Sequence, residues 1–224
     1  MKTILLASAL TVSSVAAAAT IGLLASAQPL AAEPVNFGQG TQIGRVGTLP
    51  ALPPELRGLY SQFRREARYF AAFAVHFEKA EGFYIQNFHD AASVRAAALE
   101  GCKQYAQAEG CVIYAVAMPE SLPVDHSRAT GLSEWAADDF TTVYKEKQKP
   151  GTYGAFAVSG ASHHGYAHGY KTAAEAANTA IAYCKIGVVK DMAELGPEAR
   201  KYARARGWQN CKVIESRFTP ENQS

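Results

Sequence analysis

An internal repetition restricts this fold more than any other feature of the chain. From Tyr153 to Cys211 the order is Tyr153-Gly154-Ala155-Phe156-Ala157-Val158, a turn, Gly165-Tyr166-Ala167-His168-Gly169-Tyr170, an alanine-rich stretch opening at Thr172 and carrying Cys184, and then Cys211. From Phe70 to Cys111 the same order recurs more weakly: Ala71-Ala72-Phe73-Ala74-Val75, then Gly82-Phe83-Tyr84-Ile85, a stretch from Asp90 carrying Cys102, and Cys111. Phe73 and Val75 alternate with Ala72, Ala74 and His76, the two-residue period of a strand. A turn over Phe77 to Gly82 returns the chain into a second strand, Phe83 to Phe88. Asp90 then occupies an N-cap position, where its carboxylate accepts a free backbone N–H and complements the helix dipole. Thr172 with Glu175 has the spacing of a capping box. Ala91, Val94, Ala98 and Cys102 fall on one helical face, and their small side chains let a helix lie close to a sheet. A third strand runs from Cys111 to Ala117, with Pro119 at its end. The two copies align without a gap through Gly82 and Gly165, and the second loses one residue before its helix. The expected fold class is α+β: two tandem ββαβ units with small antiparallel sheets, the third strand beside the first and one helix across each sheet.

Cysteine usage points the same way. Met1 to Ala27 has the form of a secretory signal: Lys2 as its only charge, an apolar run from Ile4, and Ala25-Ser26-Ala27 at the cleavage position. Four cysteines follow it, an even number in a chain expected to be periplasmic or secreted, which favours disulfides. Three pairings are open on paper. The repetition selects Cys102 with Cys111 and Cys184 with Cys211, each tying a helix to the start of the next strand. Chain-entropy arguments give about 2.7 kcal/mol for the short loop and about 3.6 kcal/mol for the long one. A zinc site is the competing use of these residues, but no CxxC pair is present and the spacings are uneven.

The remaining segments follow from punctuation and periodicity. Residues 28–54 are rich in proline and glycine and read as a flexible lead-in. In the segment 55–117, Leu56, Leu59, Tyr60 and Phe63 share one face of a helix that precedes the first repeat. Residues 118–150 form a connector with an internal helix opening near Gly131 or Ser133, whose apolar positions are Leu132, Trp135, Phe140, Val143 and Tyr144. The second repeat spans 151–217 and includes an insertion, Lys190 to Gly207, broken at Gly196-Pro197 and followed by a short basic helix. Residues 218–224 read as a tail. No later segment is apolar enough to span a membrane after signal removal.

The motifs of the second copy, Tyr153-Gly154-Ala155-Phe156-Ala157, Gly165-Tyr166, the alanine-rich helix with Cys184, and Cys211-Lys212-Val213, resemble those of a secreted bacterial family called domain of unknown function 4189. The resemblance covers about 60 residues of the second copy and about 45 of the first. It departs at Phe70-Ala71-Ala72 and at the long insertion between Cys184 and Cys211. It implies export and a disulfide per unit, and it carries no catalytic residues over. Chains similar to this one have borne the label 5-aminolevulinate synthase. That chemistry needs a large pyridoxal-phosphate fold with a Schiff-base lysine, which a short exported chain does not supply.

Site-like residues concentrate in one hairpin, His163-His164-Gly165-Tyr166-Ala167-His168. His164, Tyr166 and His168 share one face of a strand, which puts the two histidines about 13 Å apart, too far for one metal ion unless the turn folds back. Metal or acid–base use of His163, His164 and His168 therefore stands against plain surface histidines. Phe73, Phe156, Tyr166 and Tyr170 are candidates for a ligand groove, and equally for packing. Arg200 and Arg204 share a helix face beside Lys201 and are candidates for an acidic envelope polymer. No Gly-x-Ser-x-Gly elbow and no phosphate-cradling loop is present. Asp138-Asp139, and Glu120 with Asp125, lie in the connector and make no convincing carboxylate pair. With 48% hydrophobic residues and a net charge of +2, or +1 without Lys2, the chain is globular and lacks the basic surplus of a nucleic-acid binder. The expected function is an exported, non-catalytic binding or interaction module of unknown ligand, without a cofactor, with an envelope protein or an acidic polymer as candidate partner. The alternative is a small metal protein or enzyme using the His163–His168 hairpin.

Overall fold

The computed structural model describes residues 34–221. The expected signal, the start of the expected lead-in and the last three residues of the expected tail lie outside them. The first unit begins with strand β1 (Thr41–Arg45), a 3-10 turn (Pro54–Leu56) and helix α1 (Arg57–Glu66). It continues through β2 (Ala71–His76), β3 (Glu81–Ile85), α2 (Ala91–Ala106) and β4 (Val112–Pro119). The second unit opens with α3 (Glu134–Asp138), which runs into a π-helical segment (Asp139–Lys145). Strands β5 (Thr152–Val158) and β6 (His164–Tyr170), helices α4 (Ala173–Glu194) and α5 (Pro197–Ala205), and strand β7 (Lys212–Thr219) complete it. Two separate antiparallel sheets result, ordered β1-β4-β2-β3 and β6-β5-β7. In both units the third repeat strand lies beside the first, and the disulfides are Cys102–Cys111 and Cys184–Cys211.

Each sheet is covered on both faces, and side-chain size decides by what. Ala72 and Ala74 face Ala91, Val94, Ala98 and Cys102 of α2. Ala71, Phe73 and Val75 face the opposite way, onto Leu56 and Phe63. In the second unit Ala155, Ala157 and Ala167 lie under Ala176, Ala180 and Cys184 of α4. Phe156 and Val158 meet Leu132, Ala136, Phe140 and Tyr144 from α3 and the π-helical segment. Alanine on one face admits the repeat helix closely; phenylalanine on the other fills the space to the connector helix. The caps are as expected, with Asp90 accepting from the Ser93 N–H at 2.6 Å and Thr172 from the Glu175 N–H at 3.2 Å.

Several expectations are corrected. The lead-in is not all loose: Thr41–Arg45 pairs with β4 along its whole length, and Leu52 is buried. The tail does not begin at Phe218, because β7 carries Phe218 opposite Tyr153 and Thr219 opposite Thr152. The Tyr153 and Phe218 rings sit 4.9 Å apart, which holds the strand end down. Trp135 is exposed rather than a connector contact. Helix α4 runs ten residues past Cys184, to Glu194.

The alignment between units also shifts. Ala74 pairs with Phe83, whereas its counterpart Ala157 pairs with Gly165. Gly165 is thus the equivalent of Phe83, not of Gly82, and the missing residue is lost in the hairpin turn. The exchange is compensated on the helices. Phe83 packs where Gly101 leaves room, and Gly165 lies against the α4 backbone at Tyr183 and Cys184. Both units carry the same β-bulge, between Phe73 and Ala74 and between Phe156 and Ala157.

The two units join at a buried histidine. The His89 backbone N–H donates to the Ala161 carbonyl at 2.8 Å. Its Nδ1 accepts from the Ser133 N–H at 3.0 Å, so the proton resides on Nε2, which donates to the His163 carbonyl at 3.1 Å. Burial holds this ring neutral and pushes its pKa down to about 4, with His164, His163 and Lys212 acting in the same direction against the hydrogen bond to His163. Trp208 packs edge-on against Phe88 across the same junction.

Candidate functional site

The His163–His168 hairpin lies on β6, an outer strand of the three-stranded sheet. Because strand side chains alternate, His163 and His164 point apart. His163 Nε2 meets Asp191 of α4 at 2.7 Å, and His164 Nε2 meets Asp139 of the π-helical segment at 2.8 Å. The His164 ring stacks on Phe156 within 5° of parallel, and Tyr166 continues the stack at 10° to Phe156. His168 is on the same face farther along. Its Nδ1 is buried with no hydrogen-bond partner among the described residues. Desolvation lowers its pKa, and Lys149 and Lys147 lower it further. Desolvation raises the Tyr166 pKa, with Asp139 adding to it.

A cleft of about 500 Å³ follows this strand, lined by Asp139, His164, Tyr166, His168, Tyr170 and Tyr183. It wraps the strand edge: the histidines and Tyr166 come from one sheet face, Tyr183 from the helix on the other. Among the described residues, the backbone of 164–170 pairs only with β5, which leaves its outward row of N–H and C=O groups open. Edge strands are commonly guarded by charge. Among the described residues, three of the four sheet edges follow that rule: β1 carries Arg45, β3 carries Glu81, and β7 carries Lys212 and Arg217. Strand β6 reads His-Gly-Tyr-Ala-His-Gly-Tyr, with no Lys, Arg, Asp, Glu or Pro.

Among the described residues, no group of three or more His, Cys, Asp or Glu side chains is placed to hold a metal ion, and no cysteine is free. The hydroxyl of Ser159, in the hairpin turn, accepts from the Ala161 and His163 N–H groups and shapes the turn. A second cavity, of about 590 Å³, lies at the junction of the units near His89, Asp90 and Lys212. The polar groups of His89 and Asp90 there are already used in joining the units and capping α2.

The other candidates separate on inspection. Tyr166 and Tyr170 line the cleft, but Phe73 and Phe156 are fully buried. Arg200 turns back to donate to the Ala193 and Leu195 carbonyls at the end of α4, while Arg204 is exposed. Asp139 belongs to the connector and Tyr183 to α4, and neither stands in a motif that marks it as a site residue. The useful signal was spacing within α4: Tyr183 precedes Cys184, whose disulfide fixes the helix over the sheet. No protein-family model, no curated protein and no solved structure matches this chain.

Proposed function

We propose that this protein is an exported, non-catalytic interaction module, related to the domain of unknown function 4189 family, that receives an extended strand of a partner along β6. The supporting observation is the open edge of β6, a strand with no Lys, Arg, Asp or Glu of its own, beside an aromatic cleft, whereas the other edge strands of the described residues carry charge. In strand addition, main-chain hydrogen bonds supply affinity, and pockets for alternate side chains supply selectivity. Strand β6 offers both: the outward backbone row, and a cleft whose walls present stacked rings and the Asp139 carboxylate. Two disulfides fit an oxidising compartment. No helix among the described residues is long and apolar enough to cross a membrane.

The test replaces Tyr166 with the photo-crosslinking residue p-benzoylphenylalanine in the exporting cell. Light should give a discrete adduct of defined mass. The same residue at Phe218, exposed on the charged edge strand β7, should give none. Equal adducts from both positions, or none from position 166, would remove the docking role from β6.

A further inference from the structure

We infer that the strand received by β6 is the β6 of a second copy of this chain, giving a two-fold dimer with a continuous six-stranded sheet. The inference rests on the docking reading and adds the identity of the partner. Three features of this edge are self-complementary.

The first is register. A two-fold axis between antiparallel strands must pass between two copies of the same residue. Centred on Ala167, it sets Ala167 opposite its own copy and Tyr166 opposite His168, ahead of the bulge at Gly169 that turns Tyr170 to the α4 face. Small residue meets small residue, and the Tyr166 ring meets the His168 ring. Directly opposed aromatic pairs of this kind stabilise antiparallel strands.

The second is charge. Asp139 sits at the His164 end of the edge, bonded to His164 at 2.8 Å. Lys149 sits at the other end, its side chain within 4 Å of where a Cβ on Gly169 would be, and it acts on His168 together with Lys147. Lys147 and Lys149 are exposed. Two-fold pairing places the acidic end of one copy against the basic end of the other, whereas a parallel arrangement would oppose like charges.

The third is the helix beside the edge. Tyr183 of α4 is 55% exposed, one of the seven large apolar side chains that the described residues leave in solvent. It lines the β6 cleft, beside the strand edge. Joining two β6 edges covers this ring in both copies.

The test is sedimentation velocity on the purified, oxidised mature protein, with charge exchange. The native protein should sediment as a dimer at micromolar concentration. Lys149→Glu and Asp139→Lys should each weaken the dimer by about tenfold or more, because each opposes like charges at both ends of the pair. An equimolar mixture of the two variants should restore it as a heterodimer, a result that misfolding of either variant would not produce. A monomeric native protein at about a hundred micromolar would overturn the inference, as would a dimer indifferent to both substitutions. If the protein is monomeric but Tyr166→p-benzoylphenylalanine still gives an adduct of another mass, the second copy is excluded and the docking reading stands. If no adduct forms either, both fail.

Discussion

Gly165 is where the close approach of helix to sheet can be tested with a single methyl group. A Cβ there would lie 2.3 Å from the Cys184 nitrogen and 2.4 Å from the Ala180 carbonyl oxygen. Ordinary contacts begin near 3.4 Å, so α4 would have to retreat by about 1 Å. The obstructing atoms are helix backbone, not a flexible side chain, and that helix is tied down by Cys184–Cys211 and by buried Ala176 and Ala180. Gly165→Ala should therefore cost about 1–3 kcal/mol as an overpacking substitution. In a domain of this size that lowers Tm by roughly 3–10 °C. Gly58→Ala is the control. Gly58 lies in α1 with nothing within 4 Å of the added methyl, and alanine should gain up to about 1 kcal/mol in a helix. Thermal unfolding of the oxidised proteins, followed by circular dichroism, should give shifts of opposite sign. An unchanged or raised Tm for Gly165→Ala would refute the packing argument.

His89 should impose an acid limb on stability. Its folded pKa of about 4 lies below the usual 6.5, so its contribution is present above pH 6.5 and is lost as pH falls towards 4, in total on the order of 3 kcal/mol. Denaturant titrations across this range should flatten in His89→Leu, which should also be weaker at neutral pH for want of the bonds to Ser133 and His163. The intact mass under non-reducing conditions should fall short of the all-thiol value by four hydrogens, and any thiol that reacts with an alkylating reagent would break the pairing. Zinc or copper should leave Tm unchanged. A native site filled at about a hundred times its dissociation constant would add roughly 2.7 kcal/mol, so a shift abolished in a His164→Ala, His168→Ala variant would reinstate the metal reading.

Local chemistry made much of the fold legible. Asp90 and Thr172 mark helix starts because their side chains satisfy specific backbone donors, and Ala72 and Ala74 mark the helix side of β2 because alternation leaves them no other. Features set by distant partners were less visible. Thr41–Arg45 becomes a strand only because β4 offers an edge, and Phe218 is held by Tyr153 from another strand. The one-residue shift at Gly165 was hidden because glycines at Gly82 and Gly165 align by letter, whereas the packing equates Gly165 with Phe83. In the candidate site the placement of His164 and His168 on one strand was legible. Asp139 and Tyr183 were not, since each reaches the cleft from a different element.

Amide hydrogen exchange along β6, measured on the purified oxidised protein across a concentration series, tests the central claim most directly. The account predicts that the amides of residues 164–170 gain protection as concentration rises, while those of the charged edge β7, Lys212–Thr219, do not change. Fast exchange in the outward amides of β6 at every concentration, or equal protection of both edges, would contradict it.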